Sequence, residues 1–189
     1  MYQKILKNIG NFNEEHINLF NKRIKIRAVK KDEILLHEGD ICQSFFFNIS
    51  GAFYQFNLKN EIEQNILDLH LENEWFLNNH SFIAQLPSES TIMAYTEGKV
   101  LELTIDAIHG LIAESPAFFQ LGKILDQANY RIHFFDNRST PSEKYKHILE
   151  TKPALIQNFP LKIIASYLKI TPETLSRVRE SLAKGKNVS

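Results

Sequence analysis

Cysteine is nearly absent from this 189-residue chain. The one thiol, Cys42, cannot form an internal disulfide, and it cannot by itself hold an iron–sulfur cluster, which takes about four thiolates. A reducing cytoplasm is the compartment this implies. No apolar run approaches the roughly 18 to 20 residues of a membrane span, so no membrane partner is expected. The opening MYQKILKNIGNFNEEHINLF lacks the continuous apolar stretch and small-residue cleavage site of a secretory signal. The seven histidines (His16, His37, His70, His80, His109, His133 and His147) include no pair at a metal-ligand spacing. His133 reads as a partly buried helix residue rather than a haem or metal ligand. No glycine-rich phosphate loop, no Gly-x-Ser-x-Gly and no paired catalytic carboxylates stand out. An enzyme is therefore not expected, and no metal or cofactor is predicted.

Net charge is missing too: 22 Lys/Arg balance 22 Asp/Glu. The balance is uneven along the chain. Residues 141–189 hold nine Lys/Arg against four Asp/Glu, and residues 1–140 hold 13 against 18. A basic end on an acidic body suits a nucleic-acid partner docked at that end; a solvated lysine face is the plainer alternative. What is abundant is apolar material: 43% of residues, 11% aromatic, with 14 Phe. That is ample for a core and argues against disorder.

Along the chain, residues 2–22 read as one or two short helices. From Ile24 the pattern alternates: IKIRAV, EILLHEGD with its Gly39 turn, SFFFNIS, AFYQFNL after Gly51, EIEQNILDLHL, and TIMAYTEGKVLELT around Glu97-Gly98. Short strands about 8 to 12 residues apart predict a sandwich or barrel, here a jelly-roll-like body over roughly 24–103. Ile105 to Glu114 reads as a helix stopped by Ser115-Pro116. Phe118, Leu121, Leu125, Ala128, Ile132 and Phe135 then repeat at 3, 4, 3, 4, 3. That is a heptad seam on a helix of about 20 residues over 117–137, fit to pair with a second copy, or more simply to pack on the body. Thr140-Pro141-Ser142 marks the boundary to a last domain, whose first helix runs to Glu150.

The end of the chain carries the most informative stretch, FPLKIIASYLKITPETLSRVRESL (159–182). Leu161, Ile164, Ala165 and Leu168 share one helical face. Thr171 is suited to cap a second helix, and Pro172 suits its first position. Leu175, Val178 and Leu182 line that helix's apolar side. Glu173, Ser176, Arg177 and Glu180 face the other way. This is the pattern of a helix-turn-helix whose second helix enters a DNA major groove; a plain helical hairpin would share the spacing.

The order of strand body, seam helix and helix-turn-helix resembles the Crp/Fnr family of bacterial transcription regulators. The resemblance covers nearly the whole chain. PLKIIASYLKITPETLSRVR is similar to the family's signature, especially in the branch common in Bacteroidetes. EILLHEGDICQSFFFNISGAFYQF resembles the family's early strands. The fold this implies is α+β. A cyclic-nucleotide-binding-like effector domain spans 1–115, a dimerisation helix 116–139 and an all-α helix-turn-helix domain 140–189. The function implied is a homodimeric transcription regulator acting on an inverted-repeat site in double-stranded DNA. A small-molecule effector and RNA polymerase are further partners open to it. Matched by position, Glu173 would accept from a base edge and Arg177 would donate to guanine or phosphate. Ser176 and Arg179 would touch phosphate, and Thr171 and Thr174 stand at the helix start, where a phosphate is favoured. An acid in the first turn also complements the helix dipole, which is the other reading of Glu173.

The chain departs from the family in two places. Members that bind cyclic nucleotides carry a Gly-Glu pair and, further on, an Arg-Ser or Arg-Thr pair. Here those positions of the effector pocket hold Asn78-Asn79 and Glu89-Ser90. A carboxylate where the cyclic phosphate belongs would repel it by about 1 to 4 kcal/mol, which argues against cyclic AMP or cyclic GMP. The wing that follows the recognition helix in many members also has no room. KGKNVS is expected as a basic tail able to touch phosphates. Pro172 and the missing wing keep one alternative open, a ligand-binding or protein-interaction module with a degenerate DNA-binding domain.

Overall fold

The computed structural model of the chain describes residues 2–60, 63–133, 135 and 140–186. Helices α1 (Tyr2–Lys7) and α2 (Glu14–Arg23) come first. Asn13 starts α2 through a capping box: its side chain accepts from the His16 N–H, and His16 Nδ1 accepts from the Asn13 N–H. Eight strands follow: β1 (Lys25–Val29), β2 (Ile34–Leu36), β3 (Ser44–Ser50), β4 (Phe53–Lys59), β5 (Glu63–His70), β6 (Trp75–Phe76), β7 (Thr91–Ala94) and β8 (Gly98–Thr104). Between β6 and β7 sits α3 (Asn79–Ala84). The strands form two antiparallel four-stranded sheets, ordered β1-β8-β3-β6 and β2-β7-β4-β5, the jelly-roll body expected from the alternation. Glu61 and Ile62, expected in the β4–β5 hairpin and strand, lie outside the described residues.

Aromatic stacking fills the space between the sheets. Phe76 lies 5.5 Å from Phe46, 5.2 Å from Phe53 and 4.6 Å from His70. The other side of β3 is covered as well. Phe45 and Phe47 pack on Trp75, which also meets Phe20 of α2. Burial on both faces is why SFFFNIS is a continuous apolar run. Gly51 turns the chain at φ +93°, and a Cβ on Gly98 would sit 2.1 Å from the Ser50 carbonyl oxygen, so neither position admits a larger residue without displacement.

After β8 come α4 (Ile105–Glu114), a 3₁₀ segment (Pro116–Gly122) and α5 (Lys123–His133). The single helix expected over 117–137 is thus a tighter 3₁₀ lead followed by an eleven-residue α-helix. Its seam is also spoken for. Phe118 is 0%, Leu121 2% and Ala128 1% exposed, packed with Ile124 into the core of the body, and Leu125 is half-buried against it. These residues are core of their own chain in this conformation, not a free dimer seam. Period 3.5 and a narrow packing stripe look alike over fewer than three heptads. Ile132 is on α5 with its side chain outside the described residues, and Phe135 joins a second cluster with Tyr145 and Tyr167.

That second cluster holds the C-terminal helices α6 (Pro141–Thr151), α7 (Ala154–Asn158), α8 (Leu161–Tyr167) and α9 (Pro172–Lys186). It is continuous with Tyr54, Phe56, Ile66 and Leu69 of β4 and β5, so these helices pack on the outer face of the second sheet. Lys184 and Lys186, expected in a tail, belong to α9; residues 187–189 lie outside the described residues. No helix among the described residues is long and apolar enough to cross a membrane.

Candidate nucleic-acid interface and effector region

The turn between α8 and α9 is built by hydrogen bonds rather than glycine. Lys169 has φ +57°, the left-handed conformation that normally favours Gly. Its N–H donates to the Ser166 carbonyl and the Ile170 N–H to the Ala165 carbonyl, both at 3.0 Å, the pairing of a Schellman turn. The buried Lys144 of α6 adds a third closure, donating from Nζ to the Leu168 carbonyl at 3.0 Å. Thr171 then caps α9, its hydroxyl accepting from the Thr174 N–H at 3.2 Å. Ile164, Ala165, Leu168 and Leu175 are buried, and Val178 and Leu182 pack against them.

Anchoring that side of α9 turns the other side outward. Glu173, Ser176 and Arg177 are exposed on that outward side, Thr171 is exposed at the helix start and Arg179 at the flank, and Thr174 is half-buried beside its cap. The Glu173 carboxyl is held below its ordinary range by its own backbone N–H, the Thr171 hydroxyl and the Arg177 charge. The geometry of Glu173 is compatible with both readings. It serves the first turn of α9, and it stays an ionised, solvent-facing acceptor one turn from Arg177.

The helix pair is fastened to the body at one residue. Ser166 Oγ accepts from the Ile66 N–H and Lys169 Nζ donates to the Ile66 carbonyl, both at 2.9 Å. A second tie joins Lys152, just after α6, to Glu74 at 2.7 Å. A third lies deeper, where Arg131 of α5 donates from Nε to Asp68 at 2.8 Å and from Nη2 to the Trp75 carbonyl at 3.0 Å.

The Asp68 cluster was not singled out from the sequence. The expected alternation puts Ile66 and Asp68 on one face of β5. A register shift after Gln55 inserts Leu67 as an extra residue, so Asp68 pairs with Gln55 and Ile66 with Phe56. Ile66 and Leu69 then join the C-terminal helices, while Asp68 and His70 sit on the opposite face. Burial alone would raise the Asp68 pKa, but the charges of Arg131 and Lys152 and the Arg131 hydrogen bond outweigh it and hold the carboxyl ionised. The signal in the sequence was two ionisable residues, Asp68 and His70, on a strand otherwise apolar at its end.

At the positions matched to the nucleotide pocket, Asn78 and Ser90 come together and Glu89 does not join them. Asn78 caps α3 by accepting from the Ser81 N–H, and its Nδ2 donates to Ser88 at 2.7 Å and Ser90 at 2.9 Å. Gln55 donates to the same Ser90 hydroxyl. These side chains are buried and bonded to one another. Asn79 is half-buried with no partner for Oδ1 among the described residues, and Glu89 is exposed on the loop before β7. Among the described residues, no group of three or more His, Cys, Asp or Glu side chains could hold a metal ion.

Comparison with known proteins agrees with this geometry in fold. Residues 26–115 match the family described as cyclic nucleotide-binding domain. FixK2 from Bradyrhizobium japonicum superimposes with a TM-score of 0.67 at 16% identity, over 86% of each chain. The catabolite activator protein of Thermus thermophilus gives 0.58 at 18%, over 97% of this chain and 88% of that one. CLP of Xanthomonas campestris, described as a c-di-GMP responsive global regulator, gives 0.61 at 16%, over 92% and 93%. No curated protein sequence matches the chain. Residues 26–115 thus match the cyclic nucleotide-binding domain family, within a chain similar in fold over most of its length to these solved regulators.

Proposed function

We propose that this chain is a homodimeric, sequence-specific DNA-binding regulator of transcription, of the Crp/Fnr type and its Bacteroidetes-like branch. The observation that carries the reading is α9. Its apolar side is anchored by Leu175, and its outer side presents Glu173, Ser176 and Arg177 to solvent, with exposed Arg179 at the flank. That set combines a cytosine-type acceptor with guanine- or phosphate-type donors, and a capped helix start favours a phosphate. The basic balance of residues 141–189 supports the same face. A DNA target places the protein in the cytoplasm, with RNA polymerase within reach.

Cyclic AMP is not its signal in this reading. Glu89 offers a carboxylate where an arginine would be needed, and the Asn78 side chain is committed to α3, Ser88 and Ser90. Two copies would meet through surface other than Phe118, Leu121 and Ala128, and Phe119 on the 3₁₀ segment, 68% exposed, is the apolar residue available there. Selection of random duplex DNA on the purified protein tests the reading. Enrichment of an inverted repeat with half-sites about 34 Å apart is expected. Absent or salt-insensitive DNA binding would instead favour an interaction module with a degenerate DNA-binding domain.

A further inference from the structure

A cavity of about 720 Å³ opens where α1, β3, β6, α5 and the end of α6 meet, away from the nucleotide-pocket positions. That volume is within the range of small-molecule sites, roughly 300–1,000 Å³. Its wall is apolar and aromatic, with Phe47 and Trp75 both buried. Its excess charge is positive and comes from Lys4 and Lys7, since Arg131 is paired with Asp68 and Lys152 with Glu74. Lys4, Lys7, Arg131 and Lys152 line it, and Glu74 is the one carboxylate among the described lining residues. Lys4 and Lys7 are exposed and one turn apart on α1. Arg131 is held in place by Asp68 and by the Trp75 carbonyl. The Trp75 Nε1–H, on a residue 5% exposed, has no hydrogen-bond partner among the described residues.

We infer that this cavity binds an organic anion with a flat aromatic body, its carboxylate or phosphoryl head among the four cations and its ring against Phe47 and Trp75. A cationic rim over an aromatic wall selects for both properties at once: an inorganic anion gains nothing from the wall, and a neutral ring gains nothing from the rim. The position also gives such a ligand leverage. Lys152 ties the C-terminal helices to Glu74 at 2.7 Å, so an anion in the cavity competes with Glu74 for that ammonium. The ligand's role as an effector rests on the regulator reading above; the site itself does not.

The probe is 8-anilino-1-naphthalenesulfonate, an aromatic anion, titrated into the full chain, with neutral N-phenyl-1-naphthylamine as its uncharged counterpart. Trp75 is the only tryptophan in the sequence, so excitation of the indole should give sensitised probe emission from a bound state near it. Lys4→Glu with Lys7→Glu should weaken the anion at least tenfold and leave the neutral probe within twofold. Lys30→Glu with Lys31→Glu, the same charge change outside the cavity lining, should leave both within twofold. Benzoate and phenyl phosphate are then used as competitors, and the one that displaces the probe at lower concentration identifies the head group. Absence of anion binding, equal loss in both double variants, no loss in Lys4→Glu/Lys7→Glu, or displacement by neither competitor overturns the site. None of these readouts involves DNA, so a failed inverted-repeat selection leaves them standing.

Discussion

Replacing His70 by leucine should flatten the acid sensitivity of the fold. The imidazole is fully buried and stacked on Phe76 at 4.6 Å, and neither ring nitrogen has a hydrogen-bond partner among the described residues. Burial pushes its pKa down to about 3; the Asp68 carboxylate 3.7 Å away pulls upward and loses, and Arg131 and Lys152 add to the depression. In the unfolded chain a histidine titrates near 6.5. Between those values the unfolded state carries a proton that the folded state refuses. The stability from this group is therefore fully present above about pH 6.5 and is lost as pH falls toward 3. The slope is about 1.4 kcal/mol per pH unit, so between pH 7 and pH 5 the loss is about 2 kcal/mol. Urea unfolding of the wild type and His70→Leu at both pH values isolates the term, because every other titrating group is shared. The expected result is a pH 7-to-5 difference about 2 kcal/mol smaller in the variant. Equal differences in the two proteins would refute a neutral, buried His70.

Three further outcomes are expected. Phe118→Ala should destabilise the chain by about 3–5 kcal/mol in chemical denaturation, as a cavity in the body's core; a change in sedimentation with stability intact would return Phe118 to a dimer seam. Arg177→Ala should leave the melting temperature unchanged, since the side chain is exposed, and weaken DNA binding by about 1–3 kcal/mol with relaxed preference at one base. A uniform loss over all sequences would make Arg177 a phosphate contact. Asn78→Ala removes the α3 cap and one buried donor from each of the Ser88 and Ser90 hydroxyls, which keep their bonds to the Ser90 backbone and to Gln55. It should cost about 1–3 kcal/mol, read from the urea midpoint; an unchanged midpoint would mean that this network contributes nothing to folding.

The strand body, the helix at 105–114 and the α8–turn–α9 unit were legible because their signals are local: period-2 alternation, Gly turns at 39 and 51, and a Thr cap followed by Pro. What escaped depends on contacts far apart in sequence. β6 is two residues long, and α3 shows no helical stripe because it packs through Ser81 and Phe82 alone. The bulge at Leu67 has no marker of its own, yet it decides that Asp68 faces away from Ile66. The heptad spacing was real, but the pattern does not name its partner, and the body took Phe118, Leu121 and Ala128. On α9 the outward residues were readable from the 3.6 period, whereas the closure of its turn by Lys144 and Lys169 was not.

The fastening of α8 to Ile66 has a consequence for solubility. β5 is the outer strand of its sheet, and an outer strand offers unpaired N–H and C=O groups to any extended chain that drifts past. At Ile66 both groups are occupied by side chains, Ser166 taking the donor and Lys169 the acceptor, much as a neighbouring strand would. The C-terminal helices therefore act as a sheath over a sticky border. Any motion that lifts them also uncovers that border, so the two hydrogen bonds at Ile66 serve domain docking and protection of the sheet edge at once.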